Sequence, residues 1–120
     1  MACRAAAWQG RRMSEPQNVP VTAVPGDARV LDVREDYEWE AGHIDGAVHI
    51  PLDQLPERFG ELDPDEDLHV ICRAGGRSQR AAEWLESHGY TAINVSGGMG
   101  AWLEAGRPMV SETGSEPAVL

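Results

Sequence analysis

The sequence has 120 residues and a mass of 13.0 kDa, the size of one compact domain. Apolar residues make up 42% and charged residues 25%, so a packed core is expected and general disorder is not. Twenty acidic residues stand against ten basic ones, all arginine, and the charge of −10 argues against nucleic acid or an anionic membrane as a partner. No apolar run approaches the ~20 residues that would span a bilayer.

The chain contains two cysteines, Cys3 and Cys72, too few for the disulfide framework of a small secreted domain. The four histidines form no metal-binding spacing with either cysteine, so we expect no metal site. The pair Arg11-Arg12 precedes polar residues instead of the apolar stretch that a twin-arginine export signal requires. These features predict a cytoplasmic protein.

Composition divides the chain into three parts. Residues 1–18 are predicted to be a disordered N-terminal extension, since the first twelve carry three arginines, no acid and no repeating apolar pattern. Residues 19–109 are predicted to form the folded domain. Residues 110–120 are polar and rich in turn-forming residues, which predicts a flexible C-terminal tail.

Within the folded part, short apolar runs alternate with helical patterns. Strands are predicted over residues 29–33, 47–50, 68–72 and 92–95. Helical segments are predicted over residues 35–41, 52–59 in part, 78–88, and around 99–103. This alternation predicts an α/β domain with a small, mainly parallel sheet flanked by helices on both faces.

The loop from Cys72 to Ser78 joins a predicted strand to the strongest predicted helix. In open α/β sheets, ligands bind beyond the carboxyl ends of strands, where this loop must lie. Its glycines allow a ligand to approach the backbone, and its amides together with the helix N-terminus can bind an anion. The loop and the helix start contain no acid and three arginines: Arg73, Arg77 and Arg80.

Such surroundings act on the thiol of Cys72. Helix N-termini and nearby cations lower the pKa of a cysteine from ~8.5 and favour the thiolate, which is the nucleophilic form. Cys72 is therefore a candidate catalytic nucleophile that needs no adjacent histidine base. The alternative is a buried cysteine that simply ends an apolar strand.

The chain resembles the single-domain rhodanese family over nearly all of its folded part. The blocks that carry the resemblance are Leu31-Asp32-Val33-Arg34-Glu35, Gly42-His43-Ile44-Asp45-Gly46-Ala47, the loop Cys72 to Ser78, and Gly97-Gly98-Met99-Gly100-Ala101-Trp102. Asp45 stands where the family often has proline, within an Asp-Gly turn that tolerates the change.

The resemblance implies a rhodanese-like fold and a sulfurtransferase whose active cysteine, here Cys72, cycles through a persulfide. The residues it implies for substrate binding are Arg73, Ala74, Gly75, Gly76, Arg77 and Ser78, with the backbone cradling the sulfur and Arg77 orienting the donor. Asp32 and Arg34 correspond to a pair at a strand end, for which a structural salt bridge is expected rather than contact with the donor.

The reaction implied by the resemblance moves a sulfane sulfur from thiosulfate or a similar small anionic donor to a thiophilic acceptor. The acceptor is cyanide in an assay and a thiol or a protein in the cell. Sulfite leaves as a stable anion, so neither a general acid nor any cofactor or metal is expected. Nucleic acid and membranes are not expected as partners.

Three other functions are considered. Cysteine-dependent phosphatases and arsenate reductases place five residues between cysteine and arginine, whereas four separate Cys72 from Arg77. A non-catalytic rhodanese-like adaptor usually lacks the cysteine or has an altered loop, and both are intact here. A dedicated persulfide carrier for one partner protein is not separable by sequence from a general enzyme. Cys3 could resolve a Cys72 persulfide as a disulfide, but its place in the expected mobile N-terminal extension argues against that role.

Roles are also expected for neighbouring side chains. Arg73 is placed either at the mouth of the pocket or in solvent, and Arg80 on a solvated helix face. Ser78 has a second interpretation as the N-cap of its helix. His43 is expected to pack against its own turn or hydrogen-bond to it.

Overall fold

The computed structural model describes residues 16–120. Its five strands are β1 (Gln17–Pro20), β2 (Arg29–Asp32), β3 (Val48–His49), β4 (Asp67–Ile71) and β5 (Thr91–Ser96). Its four α-helices are α1 (Asp36–Ala41), α2 (Leu55–Arg58), α3 (Gly76–Ser87) and α4 (Gly98–Glu104). None of these helices is long and apolar enough to cross a membrane.

The strands form one parallel sheet in the order β1-β5-β4-β2-β3, with β4 at its centre. The chain leaves β2 for β3 on one side and leaves β4 for β5 on the other. Connections that diverge in this way open a crevice at the carboxyl ends of the two strands, and ligands bind there in such sheets. The segment after β4 begins with Cys72.

The two faces of the sheet carry separate hydrophobic cores, because successive strand residues point to opposite faces. On one face, Leu31 and Val70 pack with Leu85 of α3, and Leu55 of α2 belongs to the same cluster. On the other face, neighbouring strand residues such as Ile71 pack with residues of α4, among them Met99 and Trp102. The predicted α/β fold with helices on both faces is confirmed.

The structure places residues at both ends of the described chain against the domain. β1, which was not predicted, pairs with β5 from Gln17 onward. Val110 and His43 exchange backbone hydrogen bonds of 2.8 Å, and the amide of Ala118 donates to the carbonyl of Ala41 at 2.8 Å. The expected domain limits at residues 19 and 109, and the flexibility of the tail, stay predictions. Cys3, Arg11 and Arg12 lie outside the described residues.

Candidate active site

Cys72 follows the central strand β4 directly and is a free cysteine, 1% exposed. It lies at the base of an open pocket of about 420 Å³. The other lining residues are Arg73, Ala74, Gly76, Arg77 and Arg80. The structure thus brings most of the predicted loop around the cysteine, and adds Arg80, for which a solvated helix face was predicted.

Two donors point at the sulfur of Cys72. The amide of Gly75 lies 3.0 Å from Sγ and the hydroxyl of Ser78 lies 3.3 Å from it. Burial raises the pKa of the Cys72 thiol, but hydrogen bonds from the Ser78 hydroxyl and from the amides of Ser78, Gly75 and Ala74 outweigh that effect and lower the pKa below its ordinary value. These hydrogen bonds therefore make the thiolate more accessible than it is in an ordinary cysteine.

The turn into α3 depends on Gly75. This residue is the N-cap of α3 with φ of +115°, in the left-handed region that glycine enters without steric cost. Its conformation reverses the chain directly after the strand, so the Gly75 amide faces back onto the sulfur. Since Gly75 is the N-cap and no side chain caps α3, the N-cap interpretation of Ser78 is wrong.

The start of α4 holds the other side of the loop. The amide of Met99 donates to the carbonyl of Cys72 at 2.8 Å, and the amide of Gly100 donates to the carbonyl of Arg73 at 3.0 Å. At Gly98, with φ of +57°, a Cβ atom would overlap the carbonyl oxygens of Cys72 and Arg73. The sequence predicted a helix here but not its contact with the loop. Its signal was three glycines within four residues, which indicates a close backbone approach.

Arg77 forms an ion pair with Glu38, a partner that was not predicted from the sequence. Its guanidinium donates to both carboxylate oxygens of Glu38 in α1, at 2.7 and 2.9 Å. Glu38 is 3% exposed, and the hydrogen bond from Arg77 holds the pKa of its carboxyl below the ordinary value. The same pair raises the pKa of Arg77. No spacing rule links residues 39 positions apart.

The other two arginines at the pocket differ in their contacts. Arg73 is exposed, and its Nε donates to the carbonyl oxygen of Leu120 at 2.6 Å. Arg80 is also exposed, and within residues 16–120 its side chain makes no hydrogen bond or ion pair.

Asp32 and Arg34 form a buried salt bridge beside the site. Both side chains are at most 1% exposed, and Nη2 of Arg34 lies 2.7 Å from Oδ2 of Asp32. The same nitrogen donates to the carbonyl of Gly42 at 2.8 Å, which ties the end of β2 to the end of α1. Neither residue lines the pocket.

His43 makes the local contacts expected of it. Its Nδ1 donates to the carbonyl of Trp39 at 2.8 Å, and its ring stacks on the Trp39 indole at a centroid distance of 3.6 Å. No group of three or more metal-ligating side chains occurs in the part of the chain that the structure describes.

Known proteins are similar to this chain in sequence and in fold. A family model described as the Rhodanese-like domain matches residues 13–105. YtwF of Bacillus subtilis is 42% identical over 79 residues, which cover 66% of this chain and 77% of that protein. Thiosulfate sulfurtransferase GlpE of Shewanella oneidensis is 33% identical over 96 residues, which cover 79% of this chain and 94% of that protein. A rhodanese-related protein from Thermoplasma volcanium superposes with a TM-score of 0.75 at 34% identity, covering 78% of this chain and 97% of that one.

Proposed function

Because the chain belongs to the rhodanese-like domain family, we propose that it is a sulfurtransferase that moves a sulfane sulfur from thiosulfate or a similar donor through a persulfide on Cys72. One observation carries the proposal. The nearly buried Sγ of Cys72 accepts hydrogen bonds from the Gly75 amide and the Ser78 hydroxyl, and the thiol opens onto a pocket lined by three arginines.

This arrangement favours attack by Cys72 as a thiolate. The hydrogen bonds that lower the pKa of the thiol stabilise its charged form before any substrate arrives. Both donors are directed at Sγ, the atom that forms the new S–S bond. Because their positions are held by the turn at Gly75 and by α4, little reorganisation accompanies the reaction.

The proposed first step is a displacement at sulfur. The Cys72 thiolate attacks the outer sulfur of thiosulfate, a new S–S bond forms, and the S–S bond of the donor breaks with its electron pair going to sulfite. In the second step, a thiophilic acceptor attacks the outer sulfur of the persulfide and the electron pair returns to Cys72. With cyanide the product is thiocyanate. Neither step changes the number of protons, and neither draws on a cofactor.

The proposed acceptor in the cell is a thiol or a protein, because the pocket is shallow and open and Arg73 and Arg80 are exposed at it. A dedicated persulfide carrier for one partner protein would use the same Cys72 chemistry with a narrower acceptor. The location we propose is the cytoplasm, where thiols are kept reduced.

Intact-protein mass spectrometry after incubation with thiosulfate tests the proposal. We expect wild type to gain one sulfur atom that cyanide removes, and Cys72→Ser to gain none. Cys3→Ser is the matched control, since it removes the other cysteine and should leave the gain intact. If wild type gains no sulfur from thiosulfate or from a polysulfide, the proposal fails. An adaptor role, or phosphatase or arsenate reductase activity, would then be tested with partner capture and phosphate-ester assays.

A further inference from the structure

The three arginines at the pocket are not equally free to bind a substrate. Arg77 donates from both terminal nitrogens, Nη1 and Nη2, to the carboxylate of Glu38, so its charge is balanced and its guanidinium is held against α1. Its orientation is further restricted because Glu38 is almost fully buried. An anionic donor at Arg77 would meet a guanidinium whose charge is already balanced by a carboxylate in bidentate geometry.

Arg73 is partly committed as well. Its Nε donates to the carbonyl oxygen of Leu120, which directs the guanidinium toward the C-terminal segment.

Arg80 differs from both. It stands three residues after Arg77 along α3, so helical spacing puts the two on the same side of the helix. Its side chain lines the same pocket as Cys72 and is exposed, and residues 16–120 supply it with no hydrogen bond or ion pair. Among the residues that the structure describes, Arg80 is therefore the arginine of the pocket whose guanidinium has no partner.

Charge explains why such a group is needed. The protein carries a formal charge of −10, which disfavours the approach of a dianion. For Cys72 to attack thiosulfate, the outer sulfur of the donor would have to face Sγ, and its sulfonate end would then extend toward the mouth of the pocket. The sulfonate must then meet a cation at the pocket rim, away from the amides that surround the sulfur.

We propose that Arg80 binds the anionic end of the sulfur donor and makes the site selective for dianionic over monoanionic donors. This inference rests on the proposed function and adds the residue that sets its donor specificity. It also moves donor recognition from Arg77, which was expected to orient the donor, to a residue one turn further along α3.

Steady-state kinetics with two donors test the assignment. Thiosulfate is a dianion, whereas methanethiosulfonate is a monoanion that delivers the same sulfur and releases methanesulfinate. In Arg80→Gln, KM for thiosulfate should rise about tenfold with kcat nearly unchanged, and KM for methanethiosulfonate should rise less. Arg80→Lys should restore most of the affinity, because the sulfonate needs charge more than bidentate geometry.

Arg29→Gln is the matched control. It removes the same charge from an exposed arginine whose partner is Glu66 and which does not line the pocket. Its KM should match wild type, which separates local binding from the change in net charge. The pH profile of Cys72 alkylation by iodoacetamide should be the same in Arg80→Gln as in wild type, which separates donor binding from an effect on the thiol.

The inference is overturned if Arg80→Gln leaves KM for thiosulfate unchanged, if Arg29→Gln raises it equally, or if both donors are affected alike. A wild-type protein that neither donor converts to the persulfide would overturn the proposed function itself. Because methanethiosulfonate loads Cys72 without needing the second charge, loss of donor selectivity and loss of the sulfur chemistry give different results.

Discussion

The hydroxyl of Ser78, in the first turn of α3, donates a hydrogen bond to Sγ of Cys72 over 3.3 Å. Replacing Ser78 with alanine removes a donor that lowers the pKa of the Cys72 thiol and leaves the opposing effect of burial in place. The pKa should therefore rise, and the alkylation rate at neutral pH should fall by roughly tenfold, because hydrogen bonds to charged groups are strong.

The pH dependence of Cys72 alkylation shows in which direction the pKa has moved. The thiolate fraction increases as pH rises through the pKa of Cys72, so the alkylation rate of Ser78→Ala should follow the wild-type curve displaced to higher pH. Ser87→Ala is the control on the same helix, since that hydroxyl bonds to the carbonyl of Trp84 far from the thiol. Coincident curves for Ser78→Ala and wild type would contradict the prediction.

Gly98→Ala should disturb the loop from its far side. The added Cβ would overlap the carbonyl oxygens of Cys72 and Arg73, at a residue whose φ is +57°. We expect a loss of about 1–3 kcal/mol in the free energy of unfolding, together with slower alkylation of Cys72. Urea unfolding followed by circular dichroism measures the first and mass spectrometry the second.

Gly26→Ala is the matched control for that substitution. A Cβ at Gly26 meets no atom within 4 Å, and its backbone does not adopt a positive φ. Its free energy of unfolding should stay within about 1 kcal/mol of wild type. If the two alanine variants behave alike, the close approach of α4 to the loop does not restrict position 98.

The salt bridge between Asp32 and Arg34 should be costly to break from one side. Asp32→Asn leaves the guanidinium of Arg34 buried without its counter-charge, and we expect a loss of about 3–5 kcal/mol. The double variant Asp32→Leu/Arg34→Met removes both charges and should recover part of that loss. A double-mutant cycle with Asp32→Leu and Arg34→Met as its single variants, measured by chemical denaturation, gives the coupling between the two residues.

The exposed ion pair between Arg29 and Glu66 is the control for the free energy lost at the buried pair. Arg29 and Glu66 are 3.2 Å apart, with side chains 46% and 43% exposed. Arg29→Gln should cost less than about 1 kcal/mol, because solvent screens exposed charges. A cost for Asp32→Asn no larger than that of the surface pair would mean that Arg34 keeps its charge solvated or otherwise compensated.

His69 in β4 should make stability depend on pH. It is 8% exposed, its Nδ1 has no hydrogen-bond partner within residues 16–120, and burial lowers the pKa of its imidazole despite the nearby carboxylate of Asp67. The unfolded chain therefore binds a proton at higher pH than the folded one does. The free energy of unfolding should be highest above the unfolded pKa of ~6.5 and fall as pH drops below it, until the folded pKa is passed.

Thermal unfolding between pH 7.5 and 5 checks this expectation. His69→Leu should show a smaller drop in Tm over that interval than wild type, while His88→Gln controls for the loss of one exposed histidine. An equal drop in His69→Leu and wild type would show that other groups cause the pH dependence.

The local sequence pattern was sufficient to predict the strands and helices that bury apolar residues. The strand at residues 68–72 was predicted within one residue at each end, because a continuous apolar run in the middle of a parallel sheet is buried on both faces. β1 was not predicted. Its four residues are mostly exposed at the sheet edge, so they show no apolar alternation, and only pairing with β5 makes them a strand.

The residues of the site also differ in whether the sequence could predict them. Cys72 and its loop were identified because strand, loop and helix follow one another along the chain. Glu38 and the amides of α4 were missed, since tertiary folding brings them to the loop from distant positions. The role of Arg77 in orienting the donor stays a prediction. Its pairing with Glu38 argues against that role.

The burial of Cys72 also restricts which sulfur an acceptor can reach. Sγ is nearly inaccessible, and in the proposed persulfide a second sulfur would stand about 2 Å further into the open pocket. Attack on the outer sulfur passes that atom to the acceptor and frees the enzyme. Attack by a thiol acceptor on the inner sulfur would instead break the persulfide bond, release the outer sulfur as hydrosulfide and leave the acceptor joined to Cys72 as a mixed disulfide. The burial of Cys72 thus favours transfer of the outer sulfur over formation of the mixed disulfide.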